Sequence, residues 1–174
     1  MRDHGKHDHG KHDHDHSHCR HARERADLAD TGLARAEELC AARRQRLTPI
    51  RRAVLEALYR THAPLGAYEL IAVLGEGGGK THAPITIYRA LDFLMEQGFV
   101  HRLASRNAFV ACPHGHAPDE LVAFLICEGC GGVDERHSPA LTRAVSGMIA
   151  AEAFKPRQQV LEIVGLCGHC REVG

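Results

Sequence analysis

The chain has no tryptophan, and aromatic residues fill only 5% of its 174 positions. A core built here must therefore be aliphatic, and the 44% hydrophobic content is enough for one. No apolar run approaches the about 20 residues a membrane-crossing helix needs, and no apolar stretch near the start reads as a secretory leader. These absences point to the cytoplasm and away from a membrane partner. Net charge is missing too. The 22 basic side chains balance 22 acidic ones, so overall charge selects no partner. Nor is there a catalytic signature. No nucleophile stands beside an evident base, and "GGGKT" fails as a phosphate loop because the glycine that opens such a motif would fall on Leu74. Gly77 to Gly79 read as a flexible linker, and the chain is expected not to be an enzyme.

Metal-ligand chemistry is what the sequence has in excess. There are 15 histidines and 7 cysteines, the latter an odd number with four in two C-x-x-C pairs. That pattern fits a reducing compartment and metal ligation better than a disulfide framework. Eight histidines lie in the first 21 residues, "MRDHGKHDHGKHDHDHSHCRH", where almost nothing apolar could drive folding. Residues 1–24 are read as a disordered tail that binds divalent metals loosely, its histidines too interspersed to resemble a cloning tag.

Periodicity then changes. "TGLARAEELCAARRQ" carries Leu33, Ala36, Leu39 and Cys40 on one helical face. "LTPIRRAVLEALYR" opens with Thr48 as N-cap and Pro49 at the first helical position. "GAYELIAVL" turns Leu70, Ile71 and Leu74 inward and stops at Gly75. "PITIYRALDFLMEQ" begins at Pro84, buries Ile87, Leu91, Leu94 and Met95, and stops at Gly98. "FVHRLA" and "NAFVAC" read as two strands joined by a turn at "SR". Helices followed by a two-stranded hairpin make a winged helix-turn-helix over residues 25–112, with residues 84 to 97 as the recognition helix in the major groove of double-stranded DNA. Arg43, Arg44, Arg46, Arg51, Arg52 and Arg60 face a single acid, Glu56, between positions 41 and 60, which makes a basic surface beside that helix.

The second half alternates differently. "LVAFLIC", "GGVDER" and "RQQVLEIVGLC" are strands, and "SPALTRAVSGMIAAEAF" is a helix capped by Ser138. The fold class is thus α+β: a winged helix, a hinge at 113–119, and a small α+β unit over 120–174.

Two constellations stand out. Cys127 and Cys130 in "CEGC", with Cys167 and Cys170 in "CGHC", bring four thiolates toward one tetrahedron, a closed structural zinc site. A redox role for either pair would want a helix N-terminus directly behind it, whereas Cys127 and Cys167 each end a strand and meet glycines. Around the hinge remain His101, Cys112, His114, His116, Glu120, Asp134, Glu135 and His137. A metal held from both sides of a hinge favours one arrangement of the two units, which is how a sensor works.

The stretches "RLTPIRRAVLEAL", "PITIYRALDFLMEQGFVHRLAS", "FLICEGCGGVDE" and "VLEIVGLCGHC" resemble the ferric uptake regulator superfamily, and specifically its zinc uptake regulator branch, over about residues 28 to 172. The resemblance implies a homodimeric, metal-dependent repressor whose second unit is the dimerisation domain. It implies two zinc ions per subunit: a structural one on the four cysteines and a regulatory one on His101, Cys112, Glu120 and Glu135. Similar proteins often have histidine at the position of Glu120, which leaves His114 and His116 as alternatives. Tyr88 and Arg89 match the family's DNA-contacting pair, with Thr86 beside them on the recognition helix and Arg51 and Arg52 from the basic cluster. Glu69 matches an acidic position through which two dimers share an operator. Cys112 selects zinc, because a thiolate favours it over ferrous iron by softness. The expected function is a zinc-responsive repressor of zinc-uptake genes. The competing expectations are an iron, manganese or peroxide sensor on the same scaffold, and a zinc-storage or chaperone protein using the histidine-rich tail.

Overall fold

The computed structural model describes residues 20–76, 82–114, 121–156 and 159–173, with side chains of the first helix described from Leu28 onward. Four helices come first: α1 (Arg20–Ala42), α2 (Pro49–Tyr59), α3 (Ala67–Glu76) and α4 (Pro84–Glu96). Strands β1 (Val100–Leu103) and β2 (Ala108–Ala111) follow as an antiparallel hairpin. The second unit comprises β3 (Val122–Cys127), β4 (Val133–His137), α5 (Pro139–Ala151), β5 (Leu161–Gly165) and α6 (Gly168–Val173). Its sheet has the order β4-β3-β5, antiparallel on one side of β3 and parallel on the other. No helix among the described residues is long and apolar enough to cross a membrane.

Local chemistry accounts for the helix ends. Pro49 and Pro84 occupy the first turns of α2 and α4, where a missing N–H costs nothing. Thr48 sits at the N-cap with extended backbone but makes no side-chain cap bond, so proline is what starts α2. Gly98 ends α4 at φ 75°, a left-handed position that suits glycine. Ser138 caps α5 by accepting from the Leu141 N–H at 3.4 Å. Helix α3 runs one residue past Gly75, to Glu76. The turn between β1 and β2 is longer than "SR": it spans residues 104–107 and closes on Asn107 at φ 47°, a conformation asparagine tolerates. Helix α1 starts at Arg20, inside the segment read as tail. "RHARERADLAD" is free of glycine and proline and rich in strong helix formers, so the helix extends back through it.

Two apolar clusters organise the molecule. The larger draws Leu33, Leu55, Leu58, Leu70, Ile87, Leu91 and Leu94 from the four helices and closes on Phe109 and Ala111 of the hairpin. The smaller joins Leu103 and Val110 of the hairpin to Val122, Phe124, Ile126 and Val133 of the second sheet. The outer face of the wing is therefore the lid of the second sheet, and the two units meet along this seam.

Candidate functional site

The four thiols converge where β3, β5 and α6 end. Cys127 is the last residue of β3, Cys130 follows in its turn, Cys167 comes just after β5, and Cys170 lies in α6. Their sulfur atoms all lie within 4.8 Å of one another. Gly129 permits the approach, since a Cβ there would stand 3.0 Å from the Cys170 sulfur. Burial raises the Cys127 thiol, but donation from the Cys167, Cys130 and Gly129 backbone and from the Cys130 thiol outweighs it and brings it down to about 6. Burial and neighbouring thiols push Cys170 up to about 11. Four soft donors with no oxygen among them fit a closed tetrahedral zinc site. One premise of the sequence reading is corrected: a helix does begin directly behind Cys167, at Gly168, because the chain turns into α6 rather than leaving in extended form. The Cys167 thiol nonetheless faces three other thiols, a cage rather than a single redox partner.

The second cluster follows from strand register. Residues His101, Leu103, Val110 and Cys112 share the wing face that meets the second sheet, because directly paired positions such as His101 and Val110 project together and alternate positions repeat the face. Cys112 lies one residue past β2 and continues its ladder, its N–H donating to the Phe99 carbonyl at 2.9 Å. From the other side, Glu135 is paired with Phe124 and shares its face toward the wing. The His101 ring stands 5.1 Å from the Phe124 ring. Ligand atoms of His101, Cys112 and Glu135 thus come within 4.8 Å of one another. The Cys112 thiol donates to Glu135 Oε1 at 3.3 Å, and His101 Nε2 lies 3.8 Å from the same oxygen. Burial above all, then the Glu135 charge, holds the Cys112 thiol far above its ordinary range despite the His114 N–H and Arg35 nearby. A nitrogen, a sulfur and an oxygen donor, gathered from both units, fit a borderline-soft dication such as zinc.

Other hinge residues are placed differently. Asp134 projects from the opposite face of the sheet and pairs with Arg136 at 3.6 Å. His114 is exposed just past the cluster, while Glu120 and His116 lie outside the described residues.

A further contact across the seam had little signal in the sequence. Glu162, on β5, accepts from the Ala104 N–H at 2.7 Å, the Ser105 N–H at 3.2 Å and the Ser105 hydroxyl. One acid inside the apolar run "VLEIVG" was the available clue. Burial raises this carboxyl, but the three donors outweigh it and hold it below the usual carboxylate value of 4.5. Its contribution is complete above pH 4.5 and is lost as pH falls through the lower folded value. Replacing Glu162 with Ala should speed exchange of the Ala104 and Ser105 amides by about tenfold, as expected for loss of charge-assisted bonds, with both apolar clusters intact. Amide exchange by NMR would check this, and unchanged rates would count against the contact.

The residues assigned to DNA sit on two surfaces. Tyr88 and Arg89 are exposed on the first half of α4, and Thr86 is half-buried beside them. The arginines of α2 are engaged within the chain. Arg52 pairs with Glu37 of α1 at 2.9 Å and Glu56 at 3.0 Å, and Arg60 also pairs with Glu56 at 2.5 Å. Arg51 stacks over the Phe93 ring at 3.5 Å and donates to the Arg46 carbonyl at 2.6 Å. Arg43 bonds the Gln97 carbonyl at 2.9 Å. The basic face is thereby less free than a count over positions 41 to 60 implies, because Glu37 reaches it from the preceding helix. Glu69 accepts from the Gly66 N–H at 2.6 Å and so caps α3.

Comparison with known proteins places the chain in a family. The model of the Ferric uptake regulator family matches residues 42–164. The chain is 40% identical over 141 residues to the zinc uptake regulation protein of Escherichia coli (strain K12), covering 81% of this chain and 82% of that protein. A solved zinc uptake regulator complexed with zinc and DNA superposes with a TM-score of 0.77 at 39% identity, over 83% of this chain and 96% of that one. Holo XcZur superposes with a TM-score of 0.73 at 41% identity, over 80% of this chain and 96% of that one. The chain therefore belongs to the ferric uptake regulator family, in its zinc uptake regulator branch.

Proposed function

We propose that this protein is a zinc-responsive transcriptional repressor of zinc-uptake genes, built as a winged-helix domain that takes in α1 from Arg20 and runs to residue 112, a hinge at 113–119 and a dimerisation domain over 120–174. The observation that carries the reading is the convergence of His101 and Cys112 from the wing with Glu135 from the second sheet. Cys127, Cys130, Cys167 and Cys170 form the structural site, and His101, Cys112 and Glu135, with Glu120 as the fourth ligand, form the regulatory one. That makes two zinc ions per subunit. At the regulatory site zinc supplies a dication that offsets the charge of Glu135 and the Cys112 thiolate. The side chains do the rest: His101 and Cys112 fix the wing, Glu135 fixes the sheet, and the recognition helix moves with the wing.

Tyr88, Arg89 and Thr86 on α4 contact the operator, Arg89 at a guanine edge. Arg51 and Arg52 hold α2 against α4 and α1 and add positive potential near the backbone phosphates. Homodimerisation is supported by the second unit itself. Helix α5 buries none of its side chains in a single chain, while Met148, Ile163, Val164 and Leu166 are exposed. Two such dimers share one operator.

The test is operator binding by fluorescence anisotropy on protein that retains its structural zinc. Buffered zinc should raise affinity by at least about tenfold, the scale of an allosteric coupling of 1–3 kcal/mol. Buffered ferrous iron or manganese should do so less well. Zinc-independent binding would sink the proposal.

A further inference from the structure

The hinge backbone just after Cys112 is held by side chains from the first two helices. The Tyr59 hydroxyl, on a side chain only 2% exposed, donates to the Cys112 carbonyl at 2.9 Å. Arg35 of α1 donates to the next two carbonyls, Pro113 at 3.0 Å and His114 at 2.7 Å. Three consecutive peptide oxygens are thus bound by two side chains, and the chain between them folds back so that the His114 N–H reaches the Cys112 sulfur. The Tyr59 ring lies directly on α1 at Gly32. A Cβ there would fall 2.3 Å from Tyr59 Cζ and 2.5 Å from its hydroxyl oxygen. A mid-helix glycine is otherwise unfavourable by about 1 kcal/mol relative to alanine. Its presence is accounted for by the room the Tyr59 ring needs.

We propose that Arg35 and Tyr59, seated on Gly32, are positioning residues of the regulatory metal site: they clamp the backbone of residues 112–114, aim the Cys112 sulfur at His101 and Glu135, and couple α1 to the hinge. Neither side chain is a ligand. Their effect is to preorganise one, since an untethered hinge must lose its backbone freedom when Cys112 binds. The clamp also gives α1 a mechanical connection to the sensor. The metal-binding part of this inference rests on the proposed regulatory site, whereas the clamp on the hinge does not.

The test uses the full chain carrying its structural zinc and the variants Tyr59→Phe, Arg35→Met and Gly32→Ala. Tyr59→Phe removes one hydroxyl and keeps the ring. Two readouts are taken: exchange of the His114 amide by NMR before any second zinc is added, and affinity for the second zinc by competition with a chelator. In Tyr59→Phe and Arg35→Met both should change by about threefold to tenfold, the size of one or two lost hydrogen bonds. Gly32→Ala should act in the same direction, although helix propensity alone would have it stabilise α1. A purely structural role would lower the melting temperature and leave both readouts at wild-type values. Either readout unchanged in Tyr59→Phe and Arg35→Met overturns the positioning role. If the wild type takes up no second zinc, the proposed function fails instead, and His114 exchange alone decides whether the clamp exists.

Discussion

Replacing Cys127 with serine should unfold the second unit and leave the winged helix standing. The reason is the small size of the core around β3. The cluster behind that sheet contains Val122, Phe124, Ile126 and Val133, and its other members, Leu103 and Val110, belong to the wing. Helix α5 buries no side chain in the isolated chain. Six partly shared apolar residues cannot offset the conformational entropy of more than fifty residues. The four-cysteine site and the proposed dimer contact must together supply the difference, and structural zinc sites contribute on the order of 10–16 kcal/mol at neutral pH. A serine oxygen in place of one thiolate forfeits most of that. The winged helix has its own cluster, which draws on no residue beyond Ala111. The expected result is a variant with less bound zinc, a lost β-sheet signal, and one remaining cooperative melt in circular dichroism that reports the helices. An unchanged melting profile would show that the sheet holds itself together without the metal.

Replacing Cys112 with serine should abolish zinc-dependent operator binding while both units stay folded. Serine is close to isosteric and can still donate to Glu135, so the packing on either side has no reason to change. What is lost is the sulfur, the one soft donor beside His101 and Glu135. Removal of a mere supporting partner around a metal costs 10–100-fold in affinity, so loss of a direct ligand should cost at least about 100-fold. The zinc bound by Cys127, Cys130, Cys167 and Cys170 should remain, and mass spectrometry under native conditions would distinguish the two ions. pH provides an independent check. Burial and Glu135 hold the Cys112 thiol protonated at neutral pH, so Cys112 must release a proton to become a ligand. Wild-type affinity for the second zinc should therefore rise with pH by about tenfold per unit, and the serine variant should lose much of that slope. A wild-type affinity flat between pH 6.5 and 8 would contradict the assignment of Cys112.

Much of the fold was legible from local pattern. Helical spacing in "PITIYRALDFLMEQ", a proline at its start and a glycine at its end need no tertiary information, and the structure has α4 from Pro84 to Glu96 with Gly98 beyond. The two C-x-x-C pairs were equally plain, because two residues between cysteines is the span of a single turn around one ion. The structure departs from local pattern where the backbone changes conformation at an element's end. Cys167 was expected only to end a strand, yet the backbone turns into α6 at Gly168. The tail was expected to extend through residue 24, yet α1 reaches back to Arg20.

The sequence by itself determined the helices, the wing and the two C-x-x-C pairs, because each depends on spacing within a few residues, and it supplied the hinge donors as residue types only. Tertiary structure alone decided how those donors are used. Spacing alone leaves Asp134 and Glu135 equivalent; the family resemblance names Glu135, and the packing of β3 and β4 against Leu103 and Val110 is what brings Glu135 rather than Asp134 to the wing. Whether Arg52 is a free cation depends on Glu37, brought beside it by the packing of α1 on α2. The hold on Cys112 depends on Tyr59 and Arg35, which lie 53 and 78 residues from the carbonyls they bind. Contacts over such separations leave no periodic trace in a sequence, since they are set by how whole elements pack rather than by what lies a few positions away.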